Sequence, residues 1–317
     1  MTGTVFNFIR AGLLVAAFCI GTASTRAEDK AVSIDDVMQN VQQWAQENLD
    51  TNVLAELPKL DDPQVQDFFR ELQEKFQGER VIDLAALRST AQTILPLLGK
   101  NPDTQPFAAW LAAQMDYLDV AEEIRTNAPP PKMATNRPPV VLANPPAPQV
   151  REIWVRKIAK RPWPPEAKKY VDDLKPVFTE QKVPPQLVWL AEVESKFDRH
   201  AESPAGAAGL FQLMPQTAKR FGLSLWPRDQ RFSPQRSASA TAQYLNYLHG
   251  KFKDWRLTLA AYNAGEGTVQ KLLKKYRAKN FDDIAPHLPA ETQLYVPRVE
   301  AVIHEREGVG LQELSAS

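Results

Sequence analysis

Residues 183–222, VPPQLVWLAEVESKFDRHAESPAGAAGLFQLMPQTAKRFG, set an acid on an apolar helix and follow it with a loop of small residues. Pro184 and Pro185 open that helix, because proline's fixed φ and missing N–H suit a first turn. Counted from Leu187, the one-face positions i, i+3, i+4 and i+7 hold Leu187, Leu190, Ala191 and Glu194, three apolar residues and an acid. Val188, Trp189 and Val193 make the helix apolar nearly all round, which predicts a core element. An acid at the C-terminal end of such a helix is desolvated and meets the negative pole of the helix dipole. Both effects raise its pKa. A carboxylic acid kept protonated near neutral pH can donate a proton to a leaving group. The position equally suits a carboxylate that simply leaves the core at the helix end, and the helix alone does not decide between the two.

The elements that must position Glu194 all read as helices. Residues 164–181 form one, with a bend expected at Pro176. Pro215 opens a short one that ends before Gly222. Ser233 as cap, Pro234 in the first turn and Gly250 as stop delimit another. Asp254 caps the next, which carries Leu257, Leu259 and Ala260 into the sequence AYNAG at 261–265. Upstream, Val37, Val41 and Trp44 recur at helical spacing, as do Phe68, Leu72 and Phe76. Pro58 and Pro63 punctuate that region, and Gly78 and Gly99 mark helix ends. Residues 128–150 are so rich in proline that an extended, semi-rigid linker is expected. No strand-rich segment occurs. The expected fold is therefore mostly α, with a separate helical N-terminal domain over 28–127 and a helical catalytic domain over 151–317.

A length of 317 residues is consistent with two domains. The net charge of zero hides an asymmetry. Residues 28–127 carry 8 Lys/Arg against 19 Asp/Glu, or −11, whereas residues 151–317 carry 26 against 19, or +7. The basic half is the half with the acid; a mildly basic wall attracts acidic ligands, and a solvated basic face with no partner is the equal alternative. A charge of +7 with no recognition motif argues against nucleic acid. The acidic segment is most simply a solvated face, with docking of a basic partner as the alternative. Arg10 precedes an apolar run over 11–23 that is too short to span a membrane, so residues 1–27 read as an export signal. Cys19 follows Phe18 rather than the small residue of a lipid-attachment site and belongs to that run. The mature chain would then have no cysteine for disulfides or thiol catalysis. His200, His249, His287 and His304 lack metal-ligand spacing and read as surface residues; no phosphate loop or nucleophile elbow is present.

Four segments stand in order along the basic half: ESKF (194–197), GLFQLMP (209–215), AAYNAGEG (260–267) and ETQLYVPRV (291–299). In this order and spacing they resemble the four motifs of the soluble-type lytic transglycosylases, nearest the membrane-bound type D branch, although no trailing LysM repeat is visible. The resemblance covers about half the chain, residues 150–305. It implies a lysozyme-like fold, peptidoglycan glycan strands as substrate, a periplasmic location, and neither cofactor nor metal. Enzymes of this family use one glutamate, which protonates the glycosidic oxygen and then deprotonates the C6 hydroxyl of the same N-acetylmuramic acid. That hydroxyl attacks C1 and leaves a 1,6-anhydro sugar. An internal nucleophile is favoured by proximity, so the second carboxylate of ordinary glycosidases is not needed.

The resemblance makes Glu194 the acid/base. It implies that Ser203 orients the glutamate or substrate, where its own sequence context suggests a turn before Pro204. Gln212 would line the cleft and bond an N-acetyl group, and Phe211 stands where methionine is more usual. Tyr262 and Asn263 would face the acid and hold the sugar, Tyr295 completes the last motif, and Glu291 braces the site from below. Ser195 supports the helix end, and Tyr244 either stacks in the cleft or fills the core. Two other readings remain: a goose-type lysozyme-like hydrolase with this fold and a single glutamate, and a non-catalytic cell-wall binding or scaffolding protein. For residues 28–127, docking of cell-wall synthesis or division proteins is the partner expectation.

Overall fold

The computed structural model describes residues 63–99, 105–127 and 143–314. The expected export signal with Cys19, the repeat of Val37, Val41 and Trp44, and residues 128–142 lie outside them. The described residues are mostly helical and form no strand, only the isolated bridges Glu202 to Ala208 and Ala208 to Leu213. In chain order the helices are α1 Pro63–Gln77, α2 Arg88–Leu98, α3 Gln105–Asn127, α4 Ala147–Ile158, α5 Ala167–Glu180 and α6 Leu190–Ser195. They continue as α7 Pro215–Arg220, α8 Pro234–Phe252, α9 Trp255–Ala264, α10 Glu266–Tyr276, α11 Phe281–Ile284 and α12 Ala290–Glu307. No described helix is long and apolar enough to cross a membrane.

Helix α12 is the axis. Leu294, Val296, Val299, Val302 and Ile303 point to different sides of it and are all buried, as in a helix enclosed by others. It packs along α4 and also meets α9, α6 and α1. Its polar residues find partners on those neighbours. Glu300 accepts from Arg256 Nε of α9 at 2.8 Å, Arg306 forks onto Glu192 of α6, and Glu307 accepts from Trp189 Nε1 at 2.5 Å.

The helices before the proline stretch share one hydrophobic core with those after it. Phe68, Leu72 and Phe76, one face of α1, are buried. Phe76 meets Tyr117 of α3 edge-on at 6.2 Å, and Tyr117 meets Trp154 of α4 at 5.7 Å. Two hydrogen bonds pin α12 to the end of α1, from Ala290 N to Gly78 O at 2.6 Å and from Gln293 Nε2 to Glu79 O at 2.7 Å. Whatever boundary the prolines mark in the sequence, packing runs straight across it.

Several local expectations change. Helix α4 begins at Ala147, inside the stretch expected to be extended, because Pro146 and Pro148 occupy its cap and first turn and Val150 and Trp154 bury its face. Pro184 and Pro185 open a 3-10 turn, Pro185–Trp189, and the α-helix proper is only Leu190–Ser195. Ser233 sits at the cap of α8 but makes no side-chain cap bond, and α8 runs past Gly250 to stop at the left-handed Lys253. Asp254 does cap α9, accepting from Leu257 N at 2.8 Å.

Candidate active site

Helix α6 stops one residue after Glu194, and the manner of stopping aims the acid. Lys196 and Phe197 are both left-handed, at φ 53° and 64°. Lys196 N bonds Glu192 O at 3.2 Å and Phe197 N bonds Ala191 O at 3.0 Å, closing the last turn without a glycine. Left-handed backbone costs about 1–2 kcal/mol per non-glycine residue. The fully buried Phe197 ring, edge-on to Trp189 at 5.7 Å and stacked on Tyr170 at 6.4 Å, contributes about 1.5–3 kcal/mol and offsets most of the cost of the two residues. Ser195 locks the end further, its Oγ donating to Leu210 O at 2.9 Å. Its place is at the helix end rather than against a ligand.

Glu194 itself is half-buried, and its Oε1 accepts from Tyr295 Oη at 2.7 Å. Burial pushes its pKa up from 4.5 to about 8, the Tyr295 bond and the charge of Arg298 oppose the rise, and Glu291 adds to it. At neutral pH the group is therefore mostly a protonated acid. Tyr295→Phe removes a donor that favours the carboxylate, so Glu194 should titrate at higher pH still. A 13C NMR titration of the Glu194 carboxyl would show the rise, and an unchanged or lowered midpoint would refute this account of Tyr295.

Around the acid stand side chains from α9 and α12. Asn263 is held at both ends of its amide. Nδ2 donates to Glu291 at 3.2 Å, and Oδ1 accepts from Thr292 Oγ1 at 2.6 Å. Glu291 thus lies behind Asn263, and burial raises its pKa too. Tyr262 Oη donates to Phe211 O at 2.6 Å, and burial together with the nearby Glu194 raises its pKa. Tyr244 of α8 tilts against Tyr262 with centroids 5.4 Å apart and against Phe221 at 5.2 Å; burial pushes its phenol up to about 12.

Two residues expected at the ligand also hold the loop together. Gln212 Nε2 donates to Ala201 O and Gly209 O, both at 2.9 Å, while its buried Oε1 has no partner among the described residues and stays available as an acceptor. Ser203 Oγ accepts from Ala207 N at 2.9 Å and braces a turn. Phe211 is buried and its ring tilts against Phe178 at 5.7 Å. Sequence reasoning also missed residues. Arg231 donates to Gly206 O at 2.6 Å and Leu213 O at 3.0 Å, closing the loop from below, and Asp229 forks onto it. Asp116 and Arg298 meet behind Glu194 at 2.9 Å. Nothing about an isolated Arg231 or Asp116 in the sequence marks either of them. A cavity of about 410 Å³ lined by Arg151, Arg156, Glu300 and His304 holds none of the expected site residues.

An acid held protonated, with a phenol on its oxygen, can deliver a proton and take one back. Residues 178–285 match the family described as the transglycosylase SLT domain. Over 126 residues the chain is 42% identical to the membrane-bound lytic murein transglycosylase D of Escherichia coli K12, covering 38% of this chain and 28% of that protein. It is 34% identical over 141 residues to the soluble lytic murein transglycosylase of the same strain, covering 41% of this chain and 22% of that one. The chain thus spans about a quarter of the length of these relatives. Among solved structures, the 70 kDa soluble lytic transglycosylase of Escherichia coli is similar at a TM-score of 0.40 and 17% identity, covering 96% of this chain and 58% of that one.

Proposed function

We propose that the transglycosylase SLT domain carried by this chain makes it a peptidoglycan lytic transglycosylase, with Glu194 as its acid and base. The observation that carries the reading is the state of Glu194: a half-buried carboxylic acid with a pKa of about 8, at the end of a helix within the matched segment. A group protonated at neutral pH can protonate the oxygen between N-acetylmuramic acid and N-acetylglucosamine. The carboxylate so formed then takes the proton of the C6 hydroxyl as that oxygen closes on C1. The proton given equals the proton taken, and no water is consumed.

Tyr295 keeps Oε1 oriented during both transfers, and Asn263, fixed by Glu291 and Thr292, presents a rigid amide to the sugar. A substrate outside the cytoplasm fits the export signal read in residues 1–27. The test is the mass of the products. Digestion of purified sacculi should release muropeptides that are lighter by one water than hydrolytic products and resist borohydride. Hydrated, reducible ends would move the assignment to a lysozyme-like hydrolase. Sacculi bound but uncut would favour a scaffold.

A further inference from the structure

Arg298 is a guanidinium that is only 2% exposed. It lies over the rings of Tyr117 at 4.8 Å and Trp154 at 5.2 Å, with Nη1 on Ala113 O at 3.3 Å. Its Nε has no partner among the described residues. The acid that balances it is Asp116 of α3, at 2.9 Å from Nη2 and itself buried. Asp116 also receives the fork of Arg161 at 2.8 and 2.7 Å, and Lys196, two residues after Glu194, lies 3.7 Å away. Burial alone would raise the Asp116 pKa, but Arg298, Arg161 and Lys196 together hold it well below the usual carboxylate range, so it stays charged.

On α12 the residues Glu291, Tyr295 and Arg298 are spaced i, i+4 and i+7 and share one face. The groups that act on Glu194 are Tyr295, Glu291 and Arg298 from α12, Tyr262 from α9 and Tyr117 from α3. Glu192, on α6 itself, is committed to Arg306. Arg298 is the cation of this set.

We propose that Asp116, on a helix outside the matched SLT segment, is a positioning residue for the acid: it neutralises Arg298 and fixes the α12 face that brings Tyr295 to Glu194. The inference rests on the assignment of Glu194 as the acid. Its logic is charge balance. An unbalanced cation behind Glu194 favours the carboxylate and depletes the proton donor, whereas removing the cation does the reverse.

The test compares pH–rate profiles on sacculi for the full chain and three variants. Asp116→Asn should move the alkaline limb to lower pH, by on the order of one unit. Arg298→Met should move it upward, because Asp116 keeps Arg161 and Lys196 as partners and the buried cation is gone. Arg298→Lys, which keeps the charge and loses the paired Nη bonds to Asp116 and Ala113 O, should leave the limb in place while the rate falls. Opposite shifts from the two neutralising variants are not what a merely structural role produces. If Asp116→Asn does not fold, the upward shift of Arg298→Met set against Arg298→Lys still carries the test. Limbs that coincide with the native profile, or move together, overturn the proposal. Titrating the Glu194 carboxyl by 13C NMR in the same proteins reads the charge effect without turnover. Failure of the wild-type chain to cut sacculi would therefore count against the function and not against the pairing.

Discussion

Glu194→Gln is expected to lower glycan cleavage by on the order of 10²–10⁴-fold while raising the thermal stability of the protein. The two effects share a cause. Glutamine has nearly the shape of the acid and its carbonyl oxygen can still accept from Tyr295, so the fold is retained, but it neither gives nor takes a proton. The stability gain follows from linkage. The folded pKa of Glu194, about 8, lies above its ordinary value of 4.5. Its contribution to stability is fully present below about 4.5, where folded and unfolded chains both hold the proton. It erodes as the unfolded chain ionises and is lost by about pH 8, above which the folded carboxylate is charged as well. The melting difference between Glu194→Gln and wild type should therefore widen from pH 4.5 to about 8 and then level off. Melting curves across that range, beside product assays, check both halves. A variant that keeps a tenth of wild-type turnover would remove Glu194 from the chemistry, and a melting difference that does not vary with pH would remove the buried acid.

A carboxylate at the end of a core helix is legible because its signal is local, an apolar run that ends in a charged residue. Only the ordered strings downstream single out Glu194 as the acid. The neighbours that tune it are legible only in part. Tyr295 and Asn263 lie inside recognisable strings, yet the strings do not say that Asn263 is gripped by Glu291 and Thr292. Asp116 is invisible for a physical reason. It is one of 19 acids in residues 28–127, and what separates it from the solvated ones is a partner 182 positions away. The acidic segment reads as a face for water or for a docking partner, and Asp116 is the exception that is buried on Arg298. Gln212 and Ser203 carry a second duty that their strings do not show. A loop without strands must satisfy its own carbonyls and amides, and these two side chains supply part of that.

That same closure makes Gly209→Ala the most disruptive small substitution expected in the protein. Gly209 has φ +82°, and a methyl placed on it would lie 2.1 Å from the carbonyl oxygen of Arg231 and 2.9 Å from its carbonyl carbon. Neither side yields easily. Arg231 is pinned by Asp229 and by its own bonds to Gly206 O and Leu213 O, while Gly209 N donates to Ala201 O at 3.0 Å. Left-handed strain and overpacking together should cost about 2–6 kcal/mol. At about 2 °C per kcal/mol for a chain of this size, Tm falls by about 4–12 °C. Gly206→Ala is the informative control, since its φ of +86° is similar but nothing lies within 4 Å of the added methyl. It should lose only the strain, about 1–2 kcal/mol. The difference between the two variants isolates the clash. Turnover should follow it, because the displaced loop carries the carbonyls of Leu210 and Phe211 that anchor Ser195 and Tyr262 on either side of the acid. Equal melting temperatures for the two variants would mean that the Arg231 backbone gives way freely, and the loop could not then be what holds Glu194 in register.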